Sequence, residues 1–304
     1  MKNIRTRVEY TSGILSSGKD WRRLVEDGIA ACNEHGFEFG IQIHNTAEES
    51  QIEEITGLGV PMSFHAPILS DFQINLASED PGPSMEAFAK TAELMRRHNV
   101  DKAVFHGFNM TDLPIPSFGR GRDYTVSFAS SIRKELSLPD SAICRDFFGT
   151  DEYRLRNARV NRRLAGIRQE YHDVSFLLEN DFPAYGSGSI FAEHIAGMKN
   201  PICLDSSHLW ASSHVFDRDF HMEAEAFLKS GLVEMVHLHA SAYTSEIPKG
   251  RWSDGHLPLN TKNSMDLPRF IRMCRNYSVL HFILEINGLS RADIDYLAYA
   301  LGNV

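Results

Sequence analysis

Short apolar runs alternate with helical patterns along all 304 residues of this chain, and few folds accept that rhythm. Strand-like runs centre on 6–10, 37–43, 61–65, 103–106, 174–179, 202–205, 233–239 and 282–286. Helical patterns lie between them, as at 20–34, 84–97, 189–198, 223–229, 266–275 and 292–301. Eight strand–helix units in one chain predict a single (β/α)8 TIM barrel, α/β in class, better than a doubly wound sheet. No Gly-x-Gly-x-x-Gly follows the first run, and Gly186-Ser187-Gly188 is too short a signal to count. No linker or low-complexity stretch divides the sequence, so one domain over 1–304 is expected. A long insertion after strand 4, about 109–173, opens with Pro114, Pro116, Gly119 and Gly121. It continues into a helix carrying Arg154, Arg156, Arg159, Arg162, Arg163 and Arg168, and an insertion at this face usually acts as a lid or binding loop.

The ends of the apolar runs carry the chemistry. They close on His65, His106, Glu179, Asp205, His237 and Glu285, where a buried strand would ordinarily meet a turn residue. Asp205 is followed by His208, and Asp254-Gly255-His256 lies between the last two runs. In a barrel all of these sit at the C-terminal mouth, where active sites form, so residues spread over 220 positions converge. These nine groups exceed what one ion uses, since zinc takes about four ligands. Two or three divalent ions with a bridging carboxylate are therefore expected. Mixed imidazole and carboxylate suits Zn, with Mn, Fe or Co as alternatives, and not Ca. Such centres clamp the oxygens of a phosphoester and lower the pKa of a bound water.

Composition narrows the partners. A formal charge of −9 argues against coating nucleic acid by bulk electrostatics, although a local basic surface is still open. No signal-peptide core and no run near the roughly 18–20 apolar residues of a membrane span is present. Cys32, Cys144, Cys203 and Cys274 lack CxxC spacing and fit neither a disulfide framework nor a thiolate zinc site. A cytoplasmic, reduced protein with no membrane partner is expected; oligomeric state is not indicated.

The residues around these ends resemble the xylose isomerase-like barrel superfamily (AP endonuclease family 2), and within it endonuclease IV, the zinc-dependent apurinic endonuclease. The matching residues are His65 with Ile74-Asn75-Leu76-Ala77, His106-Gly107, Glu179-Asn180, Asp205-Ser206-Ser207-His208, His237, Asp254-Gly255-His256 and Leu284-Glu285. The resemblance runs over about residues 37–300. It implies that His65, His106 and Glu179 hold one ion. Glu179 would bridge to a second ion with Asp205, His237 and Glu285, and a third would take His208, Asp254 and His256. Glu285 would also orient the attacking water, with Glu179 as the other catalytic carboxylate, in a hydrolase of phosphoesters.

The sequence also departs from that pattern. Ser70-Asp71-Phe72-Gln73 separates Leu69 from Ile74, Ile68 stands where the DNA-inserting tyrosine is expected, and His106 is followed by Gly107-Phe108 instead of Pro-Gly. The metal cage resembles the family while the DNA-reading loops do not. A small phosphorylated or sugar substrate and abasic DNA both stay open. The isomerase and epimerase branch of the superfamily is the alternative. It implies one ion on Glu179, Asp205, His237 and Glu285, with His208 touching substrate and the two glutamates moving a proton between adjacent carbons.

Other residues carry a sharp and a plain reading. His239 shares a face with His237; the resemblance selects His237 as ligand and leaves His239 as a substrate or ligand contact. Asn180, Arg251 and Trp252 are candidate substrate contacts, with Arg120, Arg122 and Lys249 in the same loops. Their plain reading is ordinary loop solvation, except that Asn180 could instead hold a ligand carboxylate. The arginine-rich helix is either a solvated face interleaved with Asp151, Glu152 and Glu170 or a phosphate clamp. His44 could face the mouth; His35, His98, His172, His194, His214, His221 and His281 fall beside helices or at a strand start and receive no role.

Overall fold

The computed structural model describes residues 5–16, 20–119 and 122–302. Its strands are β1 (Arg7–Thr11), β2 (Glu38–Ile43), β3 (Met62–Ala66), β4 (Lys102–Phe105), β5 (Ser175–Glu179), β6 (Ile202–Asp205), β7 (Val233–Leu238) and β8 (His281–Leu284). They form one closed parallel barrel in sequence order, with β8 pairing back onto β1. Every strand falls on a run expected from the sequence.

The main helices around the barrel are α1 (Trp21–Glu34), α2 (Glu49–Thr56), α3 (Gly82–Arg97), α4 (Tyr124–Phe128), α5 (Asp151–Glu170), α6 (Ala192–Ile195), α7 (Ser206–Val215), α8 (Phe220–Lys229), α9 (Leu267–Asn276) and α10 (Arg291–Leu301). Most begin where a side-chain oxygen can take an otherwise orphaned amide. Asp20 accepts from Arg23, Thr150 from Tyr153, Asp219 from Met222 and Asp266 from Arg269. Three helices, α2, α4 and α7, lie outside the helical patterns named from the sequence. In α7 nearly every residue is buried, so it has no polar stripe to reveal its period.

Strand side chains alternate between an outer shell packed on the helices and the barrel interior. Inside, Val104, Leu177, Cys203, Met235 and Ile283 form a separate, fully buried apolar layer. On β1–β3 the interior is polar instead: buried Glu9 accepts from Ser63 and meets His281 and Arg7. Gly40 is required beside it, because a Cβ there would lie 2.8 Å from the carbonyl oxygen of Pro61 and 3.1 Å from Glu9 Cγ. Two residues further along each strand, past this floor, the interior positions open onto the mouth. All four cysteines are buried and free. Among the described residues no helix is long and apolar enough to cross a membrane.

The insertion is stitched onto the mouth. Bridges join Phe72 to Pro116, Asn109 to Ser187 and Ile143 to Ala184, and Asn75 ties the β3 loop to it by donating to the carbonyl of Thr111 and accepting from Asn109. The arginines of α5 act here. Arg156 forms a fork on Asp112 (2.7 and 2.8 Å) and reaches Glu152 and the carbonyls of Ala77 and Thr111. Arg159 and Arg163 take the carbonyls of residues 76–79. The helix is thus neither a bare solvated face nor a phosphate clamp: three of its arginines fasten the β3 loop.

Candidate metal centre

Interior parity places His65 at the end of β3, His106 just past β4, Glu179 on β5, Asp205 on β6, His237 on β7 and Glu285 just past β8. Glu179 lies at the centre, fully buried. Its Oε2 is 3.2 Å from His65 Nε2 and 3.5 Å from His106 Nε2. Its Oε1 is 2.9 Å from His237 Nδ1 and 3.6 Å from His208 Nδ1. His237 Nδ1 is also 3.9 Å from Asp205 Oδ2 and 3.7 Å from Glu285 Oε2. Asp254 Oδ2 lies 2.8 Å from His208 Nε2 and 2.9 Å from His256 Nε2. The structure therefore brings all nine expected ligand residues into one cluster at the mouth.

The outward ring nitrogens test whether this cluster suits a metal. His208 Nδ1 lies 2.8 Å from the carbonyl of Asn180, His256 Nδ1 3.0 Å from that of Glu285, and His65 Nδ1 3.3 Å from that of Ala66. A carbonyl only accepts, so each Nδ1 carries the proton and turns a lone pair at Nε2 inward when the ring is neutral. His106 Nδ1 is held likewise by Asp181 Oδ1 at 3.0 Å. Anchoring the far nitrogen of each imidazole is how metal sites set their histidines. Glu179 Oε2 adds a second sign, being buried without a hydrogen-bond donor although two imidazoles approach it. The residues present fit divalent ions. Triplets with donor atoms within 4.8 Å of one another include His65–His106–Glu179, His65–His237–Glu285 and Glu179–Asp205–His208.

Charge agrees with that chemistry. Burial alone would raise the Glu285 carboxyl, but His237, His256 and His65 hold it down to about 2. Glu179 and Asp254 are likewise held well below the usual carboxylate range, against burial, by the imidazoles facing them. These carboxylates stay ionised at neutral pH. In return, and against burial, Asp254 carries the His256 ring up to about 10. His44 behaves oppositely: burial and the neighbouring His65 lower it to about 4, so it is neutral.

The remaining expected contacts divide. Trp252 lines the cavity, with its indole N–H on the carbonyl of Ile247. Arg251 is exposed and does not border the cavity. Arg122 donates to the carbonyl of Ser117, Lys249 is engaged by Asp217 and the carbonyl of Val215, and Arg120 lies outside the described residues. Asn180 is fully buried and spans to the backbone of Asp205, accepting its N–H at 2.7 Å and donating to its carbonyl at 3.1 Å. It sets a ligand strand and does not reach the cavity. His239 is also closed off: its Nδ1 accepts the backbone N–H of His256 at 2.8 Å, so Nε2–H donates to Asp205 Oδ2 at 2.8 Å. Asp181 was missed by the sequence reading. Its only local signal was a third polar residue in a row after Glu179, whereas its role depends on His106, 75 positions away.

A cavity of about 630 Å³ stands over the cluster. His44, His65, His106, His208, Asp254 and Glu285 form its floor, while Phe118, Tyr124, Phe128, Tyr185 and Trp252 contribute aromatic walls. Ser141 of the insertion donates to the carbonyl of Gly250 at 2.7 Å, joining the two sides of the roof. No lysine or arginine lines the cavity among the described residues.

No protein-family model and no curated protein sequence matches the chain. Solved structures do. A D-tagatose 3-epimerase-like protein superposes with a TM-score of 0.58 at 13% identity, over 97% of this chain and 95% of that one. Endonuclease IV from Thermus thermophilus superposes with a TM-score of 0.50 at 14% identity, over 98% of this chain and 100% of that one. Identities this low speak to fold alone. In fold, the chain is a closed eight-stranded (β/α)8 TIM barrel, similar to both of these structures.

Proposed function

We propose that the protein is a divalent-metal-dependent hydrolase of a small phosphoester, working at a centre of two or three ions. The observation that carries this reading is the division of Glu179: one oxygen faces His65 and His106, the other faces His237. A carboxylate presented to two donor sets would suit a bridge between ions, whereas a single ion would call on one set. His65, His106 and Glu179 would hold one ion, Glu179, Asp205, His237 and Glu285 a second, and His208, Asp254 and His256 a third. Zinc suits the donors, with manganese, iron and cobalt as alternatives. When bound, such ions lower the pKa of a water and draw charge from phosphoester oxygens.

The chain's own groups do the rest. The Glu285 carboxylate, ionised and on the cavity wall, is placed to accept a proton from an attacking water. His44, neutral and 5.6 Å from the His65 ring between centroids, offers a hydrogen bond to substrate. The roofed mouth and the acidic chain favour a small substrate over abasic duplex DNA.

A second reading rests on a different observation. A cavity free of lysine and arginine among the described residues also suits a neutral sugar, isomerised or epimerised at one ion held by Glu179, Asp205, His237 and Glu285. Elemental analysis of protein purified without chelator separates the two. The hydrolase predicts about two to three ions per chain and turnover of bis(4-nitrophenyl) phosphate that falls about 100-fold or more in Glu285→Gln. About one ion, no phosphoester turnover and interconversion of a ketose would overturn it in favour of the isomerase.

A further inference from the structure

The aromatic side of the cavity indicates what the organic half of the substrate is. Phe118, Tyr124 and Phe128 come from the insertion and Tyr185 from the loop after β5. They make one patch: Tyr124 stacks on Phe128 at 4.5 Å, and Phe118 lies 5.0 Å from Tyr124 between centroids. Tyr185 closes the group at 5.6 Å from Tyr124 and 5.7 Å from Phe128. The patch is continuous with the ligand cluster, because Phe118 is 6.0 Å from His44 and His44 is 5.6 Å from His65. Tyr124 is 44% exposed, so its ring has surface left to cover.

Charge sharpens the picture. The anionic group of a phosphoester would sit on the ion-binding floor, where it meets positive charge. Beyond the floor the wall is mostly apolar, its polar members being uncharged side chains such as Gln73, Asn109 and Thr125 together with Asp140, and no cation lines it among the described residues. A second anionic group on the substrate would meet no cation there among the described residues and would lie near the Asp140 carboxylate, which is costly. A flat uncharged ring would instead stack on the patch.

We infer that the substrate carries a single phosphoester group joined to an uncharged, ring-bearing organic part, seated on Phe118, Tyr124, Phe128 and Tyr185. This rests on the phosphoester reading above. It excludes sugar bisphosphates, nucleoside di- and triphosphates and polynucleotides as substrates.

Calorimetric titration of the metal-loaded protein with three non-hydrolysable probes tests it: methylphosphonate, phenylphosphonate and 4-carboxyphenylphosphonate. Phenylphosphonate should bind about tenfold tighter than methylphosphonate, and the added carboxylate should abolish that gain. In a Tyr124→Ala, Phe128→Ala double variant the advantage of the phenyl group should vanish. Methylphosphonate affinity should stay unchanged, which also shows that the variant folds and keeps its floor. Equal affinities for methyl- and phenylphosphonate in the native protein would overturn this inference and leave the phosphoester reading standing. So would a phenyl advantage that survives in the double variant. Failure of all three probes to bind would overturn both readings together.

Discussion

His237 and His239 are two residues apart on the same face of one strand end, yet their hydrogen bonds give them opposite roles. His237 turns Nδ1 toward Glu179, Asp205 and Glu285. His239 has its Nδ1 occupied by the backbone N–H of His256, which leaves it a donor to Asp205. His239 thus steadies the Asp205 carboxylate through Nε2–H. Asp205 is doubly held, since its other oxygen accepts the N–H of His208 at 2.7 Å and starts α7. His237→Ala should therefore release an ion outright, whereas His239→Ala should keep every ion and weaken binding about 10–100-fold. Metal content after dialysis, followed by competition with a chromophoric chelator, separates the two. Equal metal loss in both variants would remove the distinction. The sequence alone could rank these two residues only by resemblance, because a tautomer is set by whatever the far nitrogen meets.

Helix α5 shows how an element's role can differ from its composition. Six arginines in a row of turns suggest phosphate, but Arg156 is buried and spends its fork on Asp112. It and its neighbours hold the carbonyls of the β3 loop and the beginning of the insertion. Through that loop they support His65 on β3 and the roof of the cavity. Arg156→Ala would remove the fork on Asp112, the bond to Glu152 and one of two donors to each of the Ala77 and Thr111 carbonyls, and should cost about 2–4 kcal/mol of stability. Urea unfolding measures this, and a loss below about 0.5 kcal/mol would show the contacts to be incidental surface pairs. Helix α7 carries the complementary lesson. Its Ser206-Ser207-His208 start follows a ligand aspartate, so His208 is delivered one helical turn beyond Asp205; with both faces buried, the helix left no amphipathic trace.

For the molecule as a whole, the polar plug beneath the site links barrel stability to pH. Burial raises the Glu9 carboxyl, but His281 and Arg7 with the Ser63 hydroxyl outweigh it and bring the pKa to about 2, from an ordinary 4.5. A carboxyl whose pKa is depressed on folding contributes stability that is fully present above about 4.5 and is lost as pH falls toward 2. The contribution is on the order of 3 kcal/mol at neutral pH. Glu9→Gln should be less stable than the native protein at pH 7, and the gap between them should close as pH falls below about 4. Denaturant midpoints of both proteins at several pH values check this; a gap that does not change with pH would mean that Glu9 acts through packing alone. All eight strands, the barrel and the convergence of the nine candidate ligand residues were legible in the sequence, because strand period and strand ends are local properties and a barrel sends every strand end to one mouth. Only the tertiary structure decided which nitrogen of each histidine faces inward, that Asp181 holds His106, that the arginines of α5 are committed to a loop, and that the insertion folds back as an aromatic roof. Each of these depends on a partner far away in sequence, and a hydrogen bond or ring contact leaves no mark on the local pattern of either residue alone.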